Sequence, residues 1–242
     1  KGKEVSAQPS VRLNMYSDKD GDLYLKEGLT FSYRTYRFSP AILPENTITG
    51  VAGMGLFPPT IDPFLYLGYF NSSIANEFIN FRLGNIDSRS LYQAGVVSPT
   101  PVFEFNDLLS SKITELSKEN YNSLATLYSF SEFSDRFNYE KFLLTSIQEV
   151  QEIASQVKQK VILNYLEIDK LIMNAMDFTK EDFVDYSKHT SNFETSVENL
   201  ITAIQPTEYD YLSVFFGIVF GMYEIHTRID SIKSQGIIEN EE

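Results

Sequence analysis

The sequence contains no cysteine and no tryptophan, only two histidines, and a single proline after residue 102. The missing cysteines exclude disulfides, thiolate metal sites and cysteine nucleophiles. His189 and His226 lie far apart, and neither has a clustered Asp or Glu partner with ligand spacing. A zinc site is therefore not expected, and both read as surface or internally satisfied histidines. The longest apolar run, YLSVFFGIVFGMY over residues 211–223, is thirteen residues long. It falls short of the roughly 20 needed to span a bilayer and reads as a buried helix. The start of the chain does not read as a signal peptide. It carries no initiator Met, as expected of a piece of something longer.

Catalytic patterns are missing as well. There is no P-loop and no dinucleotide-type GxGxxG. The one glycine cluster, Gly50 to Gly55, has the wrong spacing and no clear helix after it. Phe57-Pro58-Pro59-Thr60 lacks the side-chain carbonyl and the stacking aromatic of an amino-methyltransferase loop, and reads as a turn. Asp18-Lys19-Asp20-Gly21-Asp22 resembles the start of a calcium loop. Its Gly is misplaced and the later Glu ligand is missing, so it reads as a solvated hairpin turn. Glu167, Asp169 and Lys170 read as the exposed charged side of a helix.

What is present is a two-part chain of 242 residues with a formal charge of −13. Residues 1–102 hold eight of the nine prolines, nine of the twelve glycines, and nine charges of each sign. Residues 103–242 hold eleven basic and 24 acidic side chains, so the whole net charge resides there. Non-specific nucleic-acid binding by the whole chain is disfavoured, but a DNA surface confined to the neutral first part is not.

The first part reads as a β-rich α+β domain. Leu29–Phe38 (LTFSYRTYRF) is aromatic and β-prone and reads as one strand. In such a strand Arg34 and Tyr36 share one face, and Tyr33 and Arg37 the other. Ile48–Phe57 reads as a Gly-punctuated strand pair. Phe64–Leu83 has apolar residues at helical spacing.

The second part reads as helices. Asn106 or Asp107 caps a helix through Tyr128. Leu143, Ile147, Val150, Ala154, Val157, Val161, Asn164, Ile168 and Leu171 step by four and three, the spacing of a coiled-coil seam. Asn164 is its one polar member, suited to fixing register. Phe193, Val197, Leu200 and Ile204 form a second ladder. Thr179 with Asp182, and Thr190 to Glu194, read as helix starts. Such a helical pair either serves as a spacer or dimerisation arm, or buries its own seam.

Against this background the order of segments resembles the C-terminal region of bacterial adenine-specific DNA methyltransferases of the BREX phage-defence type, related to fused type II restriction–modification enzymes. Lys26–Ser32 (KEGLTFS) is similar to the family's KEGITWS strand, and Phe38–Pro44 to its FSxRxLP segment. Leu67–Ile74 resembles LLALLNSKV. Gln93–Val97 with Pro101-Val102 resembles FQVGDIxxLPI, which closes the target-recognition domain. Glu119–Leu124 is similar to KKDWDSFETS, Glu167–Ile172 to a helix reading Glu-x-Asn/Asp-x-Ile, and Ser213–Tyr223 to SYxxGxxFGRY. The chain departs from the pattern at Ala41 and Met222, where the family carries Arg.

The resemblance implies a target-recognition domain over 1–102 and a helical spacer over 103–242 that braces it. It implies double-stranded DNA as partner, together with a methyltransferase domain or subunit and other defence-system subunits, in the cytoplasm and without a membrane. S-adenosylmethionine and the catalytic loop are expected in a methyltransferase domain outside this chain, which itself shows no catalytic motif. The expected DNA-binding residues are Arg34, Arg37, Arg82 and Arg89, followed by Tyr33, Tyr36 and Gln93. Arg forks suit guanine edges and phosphates. Gln93 has a scaffold role as its alternative. The competing reading of the chain is a protein–protein scaffold of a defence complex without DNA contact.

Overall fold

The computed structural model describes residues 25–35, 37–47, 49, 53–57, 62–83, 90–102, 105–183, 185–220 and 222. The fold is α+β. Strand β1 (Gly28–Ser32) lies between β3 (Ala41–Leu43) and β4 (Gly53–Leu56) in an antiparallel sheet of order β3-β1-β4. The register pairs Leu29 with Ile42 on one side and with Leu56 on the other. A Cβ at Gly28 would sit 2.7 Å from the Phe57 ring, so a side chain there would require the ring to shift. A separate two-stranded ribbon joins β2 (Arg34–Thr35) to β5 (Ser90–Leu91).

The single strand expected over Leu29–Phe38 is therefore two strands in two sheets, with the change of sheet at Tyr33. The described part of the glycine cluster is one strand, β4, whose partner is β1. The Asp18–Asp22 turn and His226 lie outside the described residues.

The helical segment over 64–83 is divided into α1 (Pro63–Asn71) and α2 (Ser73–Leu83). Asp62 caps α1 by accepting from the Phe64 N–H. The break is at Ser72, which is extended (ψ 160°) and whose hydroxyl accepts from the Ala75 N–H. The Asn76 side-chain amide donates to the carbonyls of Phe70 and Ser72, which ties the end of α1 to the start of α2. Apolar spacing alone does not reveal such a break, because it continues through it.

The remaining helices among the described residues are α3 (Ala94–Val97), α4 (Asp107–Tyr128), α5 (Tyr139–Leu144), α6 (Ile147–Ala175), α7 (Tyr186–Ile204) and α8 (Glu208–Val219), with a 3-10 turn at Lys180–Asp182. Asn106 caps α4, its Oδ1 accepting from the Leu109 N–H at 2.9 Å. Thr179 and Asp182 form a capping box. Thr190 to Glu194 lies inside α7 and does not start it; Asp185 caps that helix by accepting from the Lys188 N–H. Helix α6 ends with Asp177 in the left-handed region (φ 54°), so the Phe178 N–H reaches back to the Met173 carbonyl.

The chain divides into two compact units, residues 1–121 with 161–196 and residues 122–160 with 197–242. The compositional step at 102/103 falls inside the first. The first core centres on Leu29, Phe31, Phe38, Tyr69, Phe70 and Ile74, joined by Ile113 and Ile168. Gly68 sets the approach of α1 to α4: a Cβ there would lie 2.6 Å from both Ile113 and Ser117. The second core is formed by Phe130, Phe142, Val150 and Val214.

Of the heptad ladder of α6, Val150, Ala154, Val157, Val161 and Ile168 are all buried. Leu143 lies on α5 and is exposed, outside the seam. The Asn164 amide donates to Glu119 at 3.2 Å. The apolar run at 211–223 is not a buried helix. Val214 and Gly217 of α8 face inward, while Leu212, Phe215, Phe216 and Val219 are exposed. Among the described residues, no helix is long and apolar enough to cross a membrane.

Candidate nucleic-acid interface

Seven residues carry the expectation of DNA contact, and the structure separates them. Arg34 is exposed on β2, opposite Leu91, and no described residue pairs with its guanidinium. Tyr33, at the change of sheet, is half-buried, and its hydroxyl accepts from the Gln93 amide at 3.2 Å. Gln93 is exposed just beyond β5, and its carbonyl accepts from the N–H groups of Val96 and Val97 to start α3. The ribbon thus gathers Tyr33, Arg34 and Gln93. Gln93 serves the scaffold through its backbone and leaves its side chain at the surface.

The ribbon is held from beneath. The Tyr92 N–H donates to the Tyr33 carbonyl at 2.9 Å. The Tyr92 ring is fully buried, 5.4 Å from the Phe38 ring, and Phe38 packs on Phe31 and Phe70. A two-residue strand pair is too short to stand alone, so these aromatic contacts give it a rigid base.

Arg82 stands exposed on the last turn of α2, where a cation complements the helix dipole. Arg89 and Tyr36 lie outside the described residues.

Arg37 is corrected. It is only 6% exposed. Its Nη1 donates to Ser39 Oγ at 3.1 Å and to Asn71 Oδ1 at 3.3 Å, and its Nη2 donates to the Asn71 carbonyl. The guanidinium lies 5.0 Å from the Phe193 ring centre and 5.6 Å from that of Tyr165, two rings stacked 3.6 Å apart. A guanidinium used in this way cannot reach a groove of DNA. The strand alternation that placed Arg37 with Tyr33 fails because β2 ends at Thr35.

Asp169 does not lie on an exposed charged helix face but is fully buried. Its Oδ1 accepts from the Ser73 N–H at 2.7 Å, at the start of α2, and its Oδ2 from the Tyr186 hydroxyl at 2.8 Å. Burial and the Asp169 charge both push the Tyr186 phenol upward. Burial raises the Tyr165 phenol too, against the pull of Arg37. Both phenols remain protonated near neutral pH. Tyr165 hydrogen-bonds Ser73 Oγ at 3.0 Å. Arg37, Asp169 and these tyrosines form a buried polar node that joins the loop after β2 to α1, α2, α6 and α7.

His189 is internally satisfied, its Nε2 lying 2.7 Å from Glu77 Oε2. Among the described residues, no group of three His, Cys, Asp or Glu could hold a metal ion. Gly53 and Gly55 are paired strand residues. No protein-family model matches the chain, and no curated protein matches its sequence.

Proposed function

We propose that the chain reads DNA sequence for an adenine N6 methyltransferase of a bacterial phage-defence system, of the BREX or restriction–modification kind, in the cytoplasm. The observation that carries this reading is the β2/β5 ribbon, which exposes Arg34 next in sequence to Tyr33, whose hydroxyl accepts from Gln93. A two-stranded ribbon fits the major groove, and an Arg fork matches the acceptor pair of guanine. Arg34 is the base reader. Gln93 and Tyr33 flank it, and Arg82 meets the phosphates, with Arg89 and Tyr36 added on sequence grounds. The target adenine is flipped into a methyltransferase domain that carries S-adenosylmethionine. The order of family-like segments supports the same reading.

The scaffold reading is favoured by one separate observation, the exposed apolar side of α8. Duplex binding measured over a salt series distinguishes the two. A reader binds a mixed-sequence duplex with affinity that falls steeply as salt rises, because each neutralised phosphate releases counterions. Absence of binding at low salt, with the methyltransferase domain attached as well as without it, contradicts the DNA reading.

A further inference from the structure

Helix α8 divides sharply in its burial. Val214 is fully buried in the second core, where the neighbouring Tyr211 ring lies 4.1 Å from Phe142. The opposite side is apolar and uncovered. Tyr209 is 82% exposed and Phe216 54%, and Leu212, Phe215, Val219 and Phe220 are exposed with them. Tyr209, Leu212, Phe216 and Val219 step by three, four and three, so they form one seam along the helix. The Phe216 ring has the Phe215 ring 6.1 Å away on one side and the Phe220 ring 6.5 Å away on the other, which makes a continuous aromatic ridge. Isolated exposed apolar residues are ordinary, whereas a contiguous ridge of this kind marks an interaction surface.

The chemistry of the occupant follows from the charges of the helix itself. Helix α8 carries Glu208 and Asp210 in its first turn and no Lys or Arg, and Glu208 is exposed one turn before Leu212. Acidic side chains beside open aromatic faces favour a cation on the partner, both by charge pairing and by cation–π contact. The heptad spacing of the seam fits a helix laid along it. A lipid surface is disfavoured, because anionic headgroups need Lys or Arg on the flanks of the helix. A second copy is disfavoured, because it brings another −13 charge.

We propose that the exposed side of α8 is the docking face for an amphipathic helix of another protein, with an apolar seam flanked by Lys or Arg. This inference does not depend on the DNA reading. The probe is a synthetic helical peptide of about 20 residues with Leu at heptad positions a and d and Arg at e and g. A second peptide carries Glu in place of Arg.

Fluorescence anisotropy against the full chain is expected to show binding of the Arg peptide and at least about tenfold weaker binding of the Glu peptide. Phe216→Ser and Leu212→Ser are expected to weaken the Arg peptide by about tenfold or more each. Both positions are exposed, so the fold is retained, and Phe81→Ser on α2 serves as an equally exposed control that leaves binding unchanged. Equal binding of the two peptides, no binding of either, or insensitivity to Phe216→Ser overturns the proposal. So does concentration-dependent self-association that Phe216→Ser abolishes, which assigns the face to a second copy. Adsorption to phosphatidylcholine–phosphatidylglycerol vesicles that the same change abolishes assigns it to a lipid surface.

Discussion

Arg37 clasps Asn71 from 34 residues away, donating to both its side-chain oxygen and its backbone carbonyl. Asn71 in turn donates to the Pro40 carbonyl at 3.1 Å and to the Leu67 carbonyl at 3.0 Å. The end of α1 is thereby tied to the segment that follows β2, and the guanidinium is enclosed by Tyr165 and Phe193. Arg34, three positions earlier, makes none of these contacts and stays at the surface. Two arginines of one short aromatic segment thus have opposite duties.

Truncating Arg37 leaves the Asn71 carbonyl without its donor and opens space beside the stacked rings. Arg37→Ala is expected to destabilise the fold by about 1–3 kcal/mol, read as a lower urea midpoint. Arg37→Lys is expected to recover only part of this, because an ammonium lacks the planar fork. Unchanged urea midpoints for both variants would contradict the buried role.

Arg34→Ala is expected to change stability by less than about 0.5 kcal/mol, as surface substitutions do. It is expected to cost about 1–3 kcal/mol of binding to the cognate duplex and to relax specificity at one base position. A uniform loss on all sequences would move Arg34 from base to phosphate contact.

Gly68→Ala tests the close approach of α1 to α4. The added methyl meets Ile113 and Ser117 at 2.6 Å, too close without rearrangement. A loss of about 1–3 kcal/mol is expected, although alanine is the better helix former. A stabilised variant would show that the two helices are free to separate.

The acidic caps give a pH dependence of known sign. Hydrogen bonds from Ser146 hold Glu149 below the usual carboxylate range, those from Thr179 do so for Asp182, and those from Ser187 and Lys188 for Asp185. A carboxyl lowered in the folded state stabilises it above the unfolded value, and that contribution is lost as pH falls through the folded value. The amide resonances of Ser146, Thr179 and Lys188 are expected to titrate with midpoints below the usual range. Ordinary midpoints would show that the caps are open in solution.

Local chemistry made the helix starts readable. Asn106 before α4 and the Thr179–Asp182 box are short-range signals, and both stand where the sequence places them. Long-range pairings were hidden. Asp169 looks like any exposed acid on a helix until its partner Ser73, 96 residues away, is known. The partner of His189 is Glu77, 112 residues away, and not its near neighbour Asp185. The unit boundaries fall inside α4, α6 and α7, where composition gives no signal. The apolar content of α8 was visible, but burial depends on what packs against a helix, and only one side of it is covered.

The most direct test of the account is selection of duplexes from a random pool by the wild-type chain and by Arg34→Ala in parallel, at low salt and with the methyltransferase domain attached. An enriched, asymmetric motif is expected for the wild type, and loss of preference at one position of it for the variant. No enrichment by the wild type, or the same motif from both proteins, would contradict it.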